Sequence, residues 1–198
     1  MVDLESWWKV CEPHVDIRKG EFPEQSFAID LNRVLSKEGP EIYHDPNLFY
    51  KKTHMTKVIK KTLLQALNNL SGEHTGNRVS RLQTGFGGGK SHILLTLYHF
   101  FNSPEELSDR DKAKEIIKES KVDSVPETNI AVIVGTEPDI SGGEKRGDIK
   151  IRTLWGELAY QLGGKDAYKI IEESDKNRIS PGKGKLVELL KENQPALI

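Results

Sequence analysis

Four glycines in five positions, followed at once by Lys-Ser, restrict this chain to a small set of folds. The stretch reads Gln83-Thr84-Gly85-Phe86-Gly87-Gly88-Gly89-Lys90-Ser91-His92, and the apolar run Ile93-Leu94-Leu95 follows it. Glycines let successive backbone N–H groups point at one anion without Cβ clashes, and a following helix presents its positive N-terminal end to the same anion. The stretch therefore predicts a nucleotide phosphate-binding loop that opens a helix.

Each residue type in this loop suits one part of a magnesium nucleotide. We expect Lys90 to reach the β- and γ-phosphates and the Ser91 hydroxyl to ligate Mg²⁺. The loop contacts phosphates and not the base, and we find no GTPase-type base-recognition motif, so ATP is the default ligand. The complete set of predicted binding residues is Thr84, Gly85, Phe86, Gly87, Gly88, Gly89, Lys90, Ser91 and His92.

The loop departs at one position from the usual template, G-x-x-x-x-G-K-[ST], because Thr84 stands where the first glycine belongs. Either Gly85 takes over the turn, or Thr84 is accommodated at the end of a strand. The surroundings favour the motif, since residues 78–84 predict a strand and residues 91–101 a helix. A glycine-rich turn without a ligand is the alternative, but turn chemistry alone does not require Lys-Ser after the glycines.

Composition excludes several other classes of protein. The 198 residues carry a net charge of −1, which gives no bulk attraction to nucleic acid or to an anionic membrane. No segment approaches the roughly 18 apolar residues of a membrane span. The lone Cys11 cannot form an internal disulfide, and the first residues lack the pattern of a signal peptide. We therefore expect a cytoplasmic protein.

Residues 1–77 predict a mainly helical N-terminal extension. A short helix carries Trp7 and Trp8, which either cover a neighbouring or missing surface or lie partly exposed on a loose terminus. Further helices are expected over 23–36 and 53–70, with a helical turn at 48–50 and an extended or turn-like segment at 41–46. One face of the second helix carries an apolar stripe that includes Val58, Ile59 and Leu63, and Gly72 is its expected stop. The lysines on the second of these helices, Lys57, Lys60 and Lys61, form either a solvated face or a track for a phosphate backbone.

Residues 78–198 predict a partial P-loop nucleotide-binding domain. The apolar, β-branched run 129–135 is typical of a strand buried in a parallel sheet. A capping box at Ser103 predicts a helix to about Ser120, residues 141–148 a mobile polar loop, and residues 153–162, 166–174 and 181 onward three more helices. Thr153 is the expected cap of the first of these three, and Gly163-Gly164 are expected to end it. Lys145 and Arg146 of that loop either touch phosphate or are solvated. Residues 195–198 begin a further strand. The fold class is therefore α/β: an incomplete P-loop NTPase-like parallel sheet with flanking helices, preceded by a helical extension.

The acidic residue that a P-loop enzyme places at the tip of a second strand is not evident. Glu137 and Asp139 follow the strand 129–135, but Gly135-Thr136 separate them from its apolar residues, so their placement fits a Walker B motif poorly. The catalytic residues are therefore unknown from the sequence, and whether this chain is an enzyme stays open.

Several of these stretches together resemble a known family. They are Trp7…Pro13-His14-Val15-Asp16…Gly20, Leu82–His92, Val134-Gly135-Thr136 and Arg152-Thr153-Leu154-Trp155-Gly156-Glu157-Leu158-Ala159. The set is similar to the prokaryotic P-loop ATPase-like proteins of domain-of-unknown-function family 499. The resemblance implies an AAA-like ATPase whose Walker B strand ends in an Asp-Glu pair after the position of Pro195–Ile198. It also implies a DNA-modification or defence context, with DNA as a possible partner.

We expect this chain to be the N-terminal part of such an ATPase. Its partners would then be a nucleotide and the missing C-terminal portion or other protein subunits. Because hydrolysis needs an acidic group to hold metal and orient water, we expect the isolated chain to bind ATP and to hydrolyse it poorly. The alternative is a protein-interaction module whose exposed tryptophans dock a partner and whose phosphate loop is vestigial.

Overall fold

The computed structural model describes residues 5–13, 15–20, 29–73, 77–85, 87–104, 111–120, 122–135 and 143–198. Over these residues the protein is mixed α/β and predominantly helical. The helices are α1 (Trp7–Val10), α2 (Val15–Arg18), α3 (Leu31–Leu35), α4 (Glu41–His44), α5 (Pro46–Lys52), α6 (Lys57–Leu70), α7 (Lys90–Asn102), α8 (Asp111–Glu119), α9 (Leu154–Lys176) and α10 (Lys183–Glu192). The strands are β1 (Asn129–Ile130), β2 (Glu144–Arg146), β3 (Ile149–Ile151) and β4 (Ala196–Leu197). None of the helices described is both long and apolar enough to cross a membrane.

Side-chain oxygens fix the starts of the N-terminal helices. Asp30, Asp45 and Thr56 each accept hydrogen bonds from backbone N–H groups in the first turn of α3, α5 and α6, as N-cap residues do. The prediction of an extended or turn-like segment at 41–46 is wrong, because helix α4 occupies residues 41–44 and Asp45 joins it directly to α5. The prolines at 40 and 46 stand at helix starts, where a missing N–H costs nothing.

Helix α6 carries the apolar stripe that its sequence predicts, although it begins at Lys57 and not at residue 53. Ile59, Leu63 and Leu67, spaced four apart, are its buried residues. Val58, expected on the same face, is 58% exposed. Gly72 ends the helix with φ +87°, a conformation that suits glycine beyond a helix end. Helix α7 likewise confirms the helix predicted over 91–101.

Two other predicted helices fall only partly within the described residues. Of the helix predicted over 23–36, the structure has α3, and residues 21–28 lie outside the described part of the chain. Of the helix predicted from Ser103 to Ser120, the structure has α8, and residues 105–110 are outside it. The helical turn expected at 48–50 is confirmed, and it extends to all of α5.

Strands β1 and β4 form a parallel pair, with Asn129 opposite Ala196 and Ile130 opposite Leu197. This confirms strands at the start of the run 129–135 and within 195–198. Pairing covers less of the first strand than predicted, although the Ala131 N–H still donates to the Leu197 carbonyl at 2.9 Å. The side chains of Ile130 and Leu197 pack against one core cluster, and those of Ala131 and Ala196 against another.

The strand predicted over 78–84 is absent from both sheets. Residues 77–85 are irregular chain with no ladder partner among the described strands. Val79 is 86% exposed, and only Leu82 of this segment packs against the core. The prediction is wrong because a β-branched residue favours a strand only where it packs against neighbours.

The prediction of a mobile polar loop over 141–148 is wrong for its described residues, because they belong to a β-hairpin. Strands β2 and β3 form an antiparallel hairpin in which Arg146 lies opposite Ile149. Its two-residue turn places Gly147 at φ +61°, and a glycine at the first turn position is one of the favoured hairpin geometries. Residues 141 and 142 lie outside the described part.

Helix α9 consists of two segments that meet at a kink. The Thr153 hydroxyl caps its start by accepting a hydrogen bond from the Gly156 N–H, as predicted. Gly163 and Gly164 have non-helical backbone angles, so the expected helices 153–162 and 166–174 are both present, on either side of the kink. The last helix starts at Lys183, two residues later than predicted.

Three apolar clusters form the core around the parallel pair. The largest gathers Val34, Phe49, Tyr50, Ile59, Leu63, Leu67, Ile93, Leu95, Phe100, Phe101, Ala113 and Ile116. A second joins α9 to α10 and β3, and a third joins α9 to the residues after β1. The largest cluster draws on both sides of the predicted domain boundary at residue 77, and that boundary stays a prediction.

Candidate functional site

The loop before α7 has the backbone that its glycines allow. Gly87 and Gly89 both have φ +75°, a left-handed conformation that side-chain-bearing residues rarely adopt. The Gly88 N–H donates to the Gly85 carbonyl at 3.3 Å and narrows the loop. The described residues of the loop before Lys90 are exposed, and Phe86 lies outside the described part. Two of the four glycines are thus required by conformation.

Thr84 and Gly88 account for the departure from the template. A Cβ atom on Gly88 would lie 2.2 Å from the Thr84 hydroxyl oxygen and 3.2 Å from the Gly85 carbonyl. The side chain at position 84 therefore fits because position 88 has none. A Cβ on Gly85 would meet no atom within 4 Å. Of the two explanations offered by the sequence, the contacts favour accommodation of Thr84, although no strand precedes it.

The Lys90 ammonium is folded back over the loop. It donates to the carbonyls of Thr84 at 3.0 Å and Gly85 at 2.9 Å, and to the Thr84 hydroxyl at 3.3 Å. An ammonium has three donors, so the loop supplies an acceptor for each. The positive charge is consequently held at the loop itself.

The first turn of α7 completes the loop. Its N-cap, Gly89, offers no side chain to the backbone N–H groups of that turn, and the aligned peptides give this end of the helix a partial positive charge. Ser91, half-buried, is the second residue of the helix. An anion placed against the loop would meet backbone donors and the Lys90 charge together.

Ser91 is the residue of this loop whose hydroxyl suits Mg²⁺, which prefers oxygen ligands and usually keeps substrate phosphates and waters as further ligands. Within the part of the chain that the structure describes, no three acidic, histidine or cysteine side chains converge as a metal site. Glu137 and Asp139, the alternative acids, lie outside the described residues. A magnesium ion beside Ser91 would therefore need most of its ligands from phosphate and water.

The ring of His92 lies apart from the rest of the predicted site. Its Nε2 is 3.0 Å from the Thr53 hydroxyl oxygen, and its ring centroid is 4.7 Å from that of Phe49. Burial lowers the pKa of His92, since it disfavours the charged imidazolium. His92 is thus engaged with the N-terminal helices, whereas Thr84, Gly85 and Lys90 contact one another.

The residues beneath α7 were not identified from the sequence. Tyr50 donates its phenol hydrogen to the Thr96 carbonyl at 2.8 Å. The Lys112 ammonium donates to the carbonyls of Thr53 at 2.6 Å and Tyr50 at 3.0 Å at the end of α5, where cations stabilise helix termini. One signal was present: polar residues recur on an otherwise apolar face of α7. Their partners are far away in the sequence and left no local pattern.

The charged hairpin residues have structural partners. The Arg146 guanidinium donates to Glu157 at 2.9 Å, and Glu157 is 3% exposed. Lys145 is exposed. Of the two cations considered for phosphate contact, Arg146 therefore pairs with a buried carboxylate.

A second buried carboxylate, Asp175, is also saturated. It accepts hydrogen bonds from the Arg152 N–H at 3.0 Å, the Thr153 hydroxyl at 2.7 Å and the Tyr168 hydroxyl at 2.8 Å. Burial, together with this carboxylate, raises the pKa of Tyr168. Asp175 holds the start of α9 and offers no open acid for chemistry.

The lysine face of α6 is partly neutralised. The Lys60 ammonium pairs with Glu119 of α8, while Lys57 and Lys61 are exposed. Contact with a phosphate backbone along this face would have to break or bypass the Lys60–Glu119 pair.

Comparison with protein-family models matches residues 5–198 to the DUF499 N-terminal domain. No curated protein matches the chain, and no solved structure matches it. The family match covers almost the whole sequence, including every residue of the loop.

Proposed function

The chain belongs to the DUF499 N-terminal domain family, and for this domain we propose that the loop Thr84–Ser91 binds a magnesium nucleoside triphosphate, with ATP as the default. One observation carries the proposal. The Lys90 ammonium has three acceptors at the mouth of a glycine loop, at the start of a thirteen-residue helix without a side-chain cap. A loop of this kind exposes a charge and several N–H donors to the same anion.

Binding exchanges one set of contacts for another. Lys90 would leave the carbonyls of Thr84 and Gly85 and donate to the β- and γ-phosphate oxygens. The N–H groups after Gly89 would donate to the same phosphates, and the Ser91 hydroxyl would hold Mg²⁺, which neutralises phosphate charge when bound. If the loop binds nucleotide in this way, the domain has a partial P-loop NTPase-like fold.

We further propose that the domain is the N-terminal part of a larger ATPase and that it hydrolyses ATP poorly by itself. Hydrolysis requires an acid that holds the metal and a residue that orients water. The two buried carboxylates described above, Glu157 and Asp175, are occupied by other partners. Work in a DNA-modification or defence context rests on the family resemblance, and DNA as a partner rests on it too.

Thermal unfolding with and without Mg-ATP tests the binding proposal. At one hundred times its dissociation constant, a ligand stabilises the folded state by about 2.7 kcal/mol. The unsubstituted protein and a Lys57→Ala control should show this shift, and Lys90→Ala should lose it. An equal shift in Lys90→Ala, or none in the unsubstituted protein, would contradict the proposal.

A second function, protein docking with a vestigial loop, is favoured by the N-terminal tryptophans. Trp7 is 71% exposed and Trp8 is 64% exposed, and their rings contact each other edge to face, with centroids 5.9 Å apart. Adjacent exposed aromatic rings are typical of binding surfaces. This function predicts self-association that Trp7→Ala/Trp8→Ala abolishes in sedimentation experiments. A monodisperse monomer that Mg-ATP stabilises would count against it.

A further inference from the structure

Helix α7 buries a polar stripe against the N-terminal helices. His92, Thr96 and His99 recur at i, i+4 and i+7, which places them on one face of the helix. Thr96 is 0% exposed and His99 3%. The Thr96 carbonyl accepts from Tyr50, and the His99 Nε2 donates to the Tyr43 carbonyl at 2.9 Å. Each of these three residues of α7 is therefore hydrogen-bonded to a residue of the segment 43–53.

The stripe reaches the phosphate loop at His92. Thr53 donates its only hydroxyl hydrogen to the Phe49 carbonyl, over 2.7 Å. The contact between the Thr53 oxygen and His92 Nε2 must then use the imidazole hydrogen, since a hydroxyl oxygen can also accept. His92 is accordingly the donor at Nε2, and its ring lies against Phe49.

Thr53 is itself held in place by burial and by two other hydrogen bonds. It is 2% exposed, its hydroxyl is bonded within the last turn of α5, and its carbonyl accepts from the Lys112 ammonium of α8 at 2.6 Å. A hydrogen bond to such a group restrains the partner, because both α5 and α8 would have to move for Thr53 to follow. His92 is thereby tied to two other helices.

We infer that His92 is a positioning residue of the phosphate loop: by donating to Thr53 it fixes the first turn of α7, and with it the direction of Lys90 and Ser91. The inference rests on the proposed nucleotide site. His92 lies in the same helical turn as both residues, and the cap residue Gly89 supplies no side-chain bond to hold that turn. The affinity for nucleotide therefore depends on a contact that touches no phosphate.

Nucleotide affinity and hydrogen exchange test this role together. His92→Leu and Thr53→Val each remove one end of the bond, and His92→Gln keeps an N–H donor of similar reach. The matched control is His99→Leu, which removes the equivalent donor about 10 Å further along the helix. Isothermal titration with Mg-ATP, well below the unfolding temperature of each variant, reports affinity. Exchange of the amides of residues 93–95 in ligand-free protein reports order in the first turn, and exchange over 183–192 reports global stability.

We expect the dissociation constant for Mg-ATP to rise about five- to tenfold in His92→Leu and Thr53→Val, which is the worth of one hydrogen bond. The double variant should be no worse than either single one, because both break the same bond. Exchange over 93–95 should accelerate more than over 183–192. His92→Gln should stay closer to the unsubstituted protein, and His99→Leu should lose stability without losing affinity.

The outcomes separate the two proposals. If the unsubstituted protein binds no Mg-ATP, the proposed function is wrong and this inference with it. If it binds normally and His92→Leu binds equally well, the inference alone is wrong. An equal loss of affinity in His99→Leu would also overturn it, since the effect would then be one of general stability.

Discussion

Thr84 and Gly88 occupy one small space in the glycine loop before α7, and the residue type at each position depends on the other. A side chain at 84 leaves no room for one at 88, where a Cβ would lie 2.2 Å from the Thr84 oxygen. The usual template has the opposite choice at its first position. The residues at positions 84 and 88 of this loop are therefore coupled.

Gly88→Ala should weaken Mg-ATP binding by about tenfold or more, because overpacking typically costs about 1–3 kcal/mol. Adding Thr84→Gly should restore most of the affinity by removing the clash. Titration of the single and double variants measures both effects. Gly182→Ala, outside the loop, is the control, since a Cβ there meets nothing within 4 Å. A loss in Gly88→Ala that Thr84→Gly does not repair would show that the clash is not the cause.

His92 should make the protein less stable at acid pH. Its folded pKa lies below its usual value of about 6.5, so the unfolded state binds more protons in the window below that value. Stability contributed by neutral His92 is therefore complete above about pH 6.5 and is lost as the pH falls through the window. The neighbouring groups are the Lys112 ammonium, on Thr53, and His99, across Phe49.

Urea unfolding at pH 7.5 and pH 5.5 measures this dependence. The free energy of unfolding should fall between the two values in the unsubstituted protein, and the drop should be smaller in His92→Gln. The exposed His54 provides a control, and His54→Gln should keep the full drop. A drop of equal size in all three proteins would place the titrating group elsewhere.

At the level of elements, Asp175 ties the end of the second segment of α9 to the start of the first. It accepts from Arg152, Thr153 and Tyr168, and a Cβ on Gly156 would lie 2.3 Å from its Oδ1. The kink at Gly163 and Gly164 allows the helix to fold back so that these groups meet. The bent helix thus depends on one buried carboxylate.

Asp175→Asn should destabilise the protein by about 2–4 kcal/mol, since an amide cannot accept all the hydrogen bonds that a buried carboxylate accepts. Urea denaturation gives the difference in unfolding free energy. The control is Asp166→Asn, an exposed residue of the same helix that pairs with Lys169, and it should change stability little. Equal effects of the two substitutions would mean that burial is not what makes Asp175 important.

Local signals in the sequence predict the elements well where the cause of an element is itself local. Thr153 as a cap, the break at Gly163-Gly164 and the stop at Gly72 are all present, because each acts within a few residues. The strand over 78–84 fails because a strand needs a partner, and no local pattern supplies one. At the site, the sequence predicts the glycine turn before α7, where Gly87 and Gly89 have positive φ. It could not predict that the ring of His92 contacts Thr53, which lies 39 positions earlier.

Across the whole molecule, the parallel pair joins the apolar clusters. Ile130 and Leu197 pack on the cluster shared by α5, α6 and α7, while Ala131 and Ala196 pack on the one beside α9. Trp155 contacts the clusters on the α9 side. Loss of either side would expose the apolar face of the pair, so we expect the clusters to unfold together.

Leu67→Ala tests this cooperativity, because Leu67 lies in the largest apolar cluster and the fluorescent Trp155 packs against the other two. The fully buried Leu67 should cost about 2–5 kcal/mol on truncation, and the loss should lower the midpoint seen by circular dichroism and by Trp155 fluorescence alike. The chain has three tryptophans, so Trp7→Phe/Trp8→Phe isolates the signal. An unchanged fluorescence midpoint would mean that the two sides unfold separately.

The side-chain amide of Gln161 makes sheet growth directional. It accepts from the Val132 N–H at 2.7 Å and donates to the Val132 carbonyl at 3.1 Å, so it imitates an adjoining strand on the edge of the first strand that faces away from β4. A further strand could pair on that edge only by displacing the Gln161 amide, whose polar groups would then lose their hydrogen-bond partners. A further strand can therefore be added more easily beside β4, because Gln161 blocks the opposite edge of the sheet.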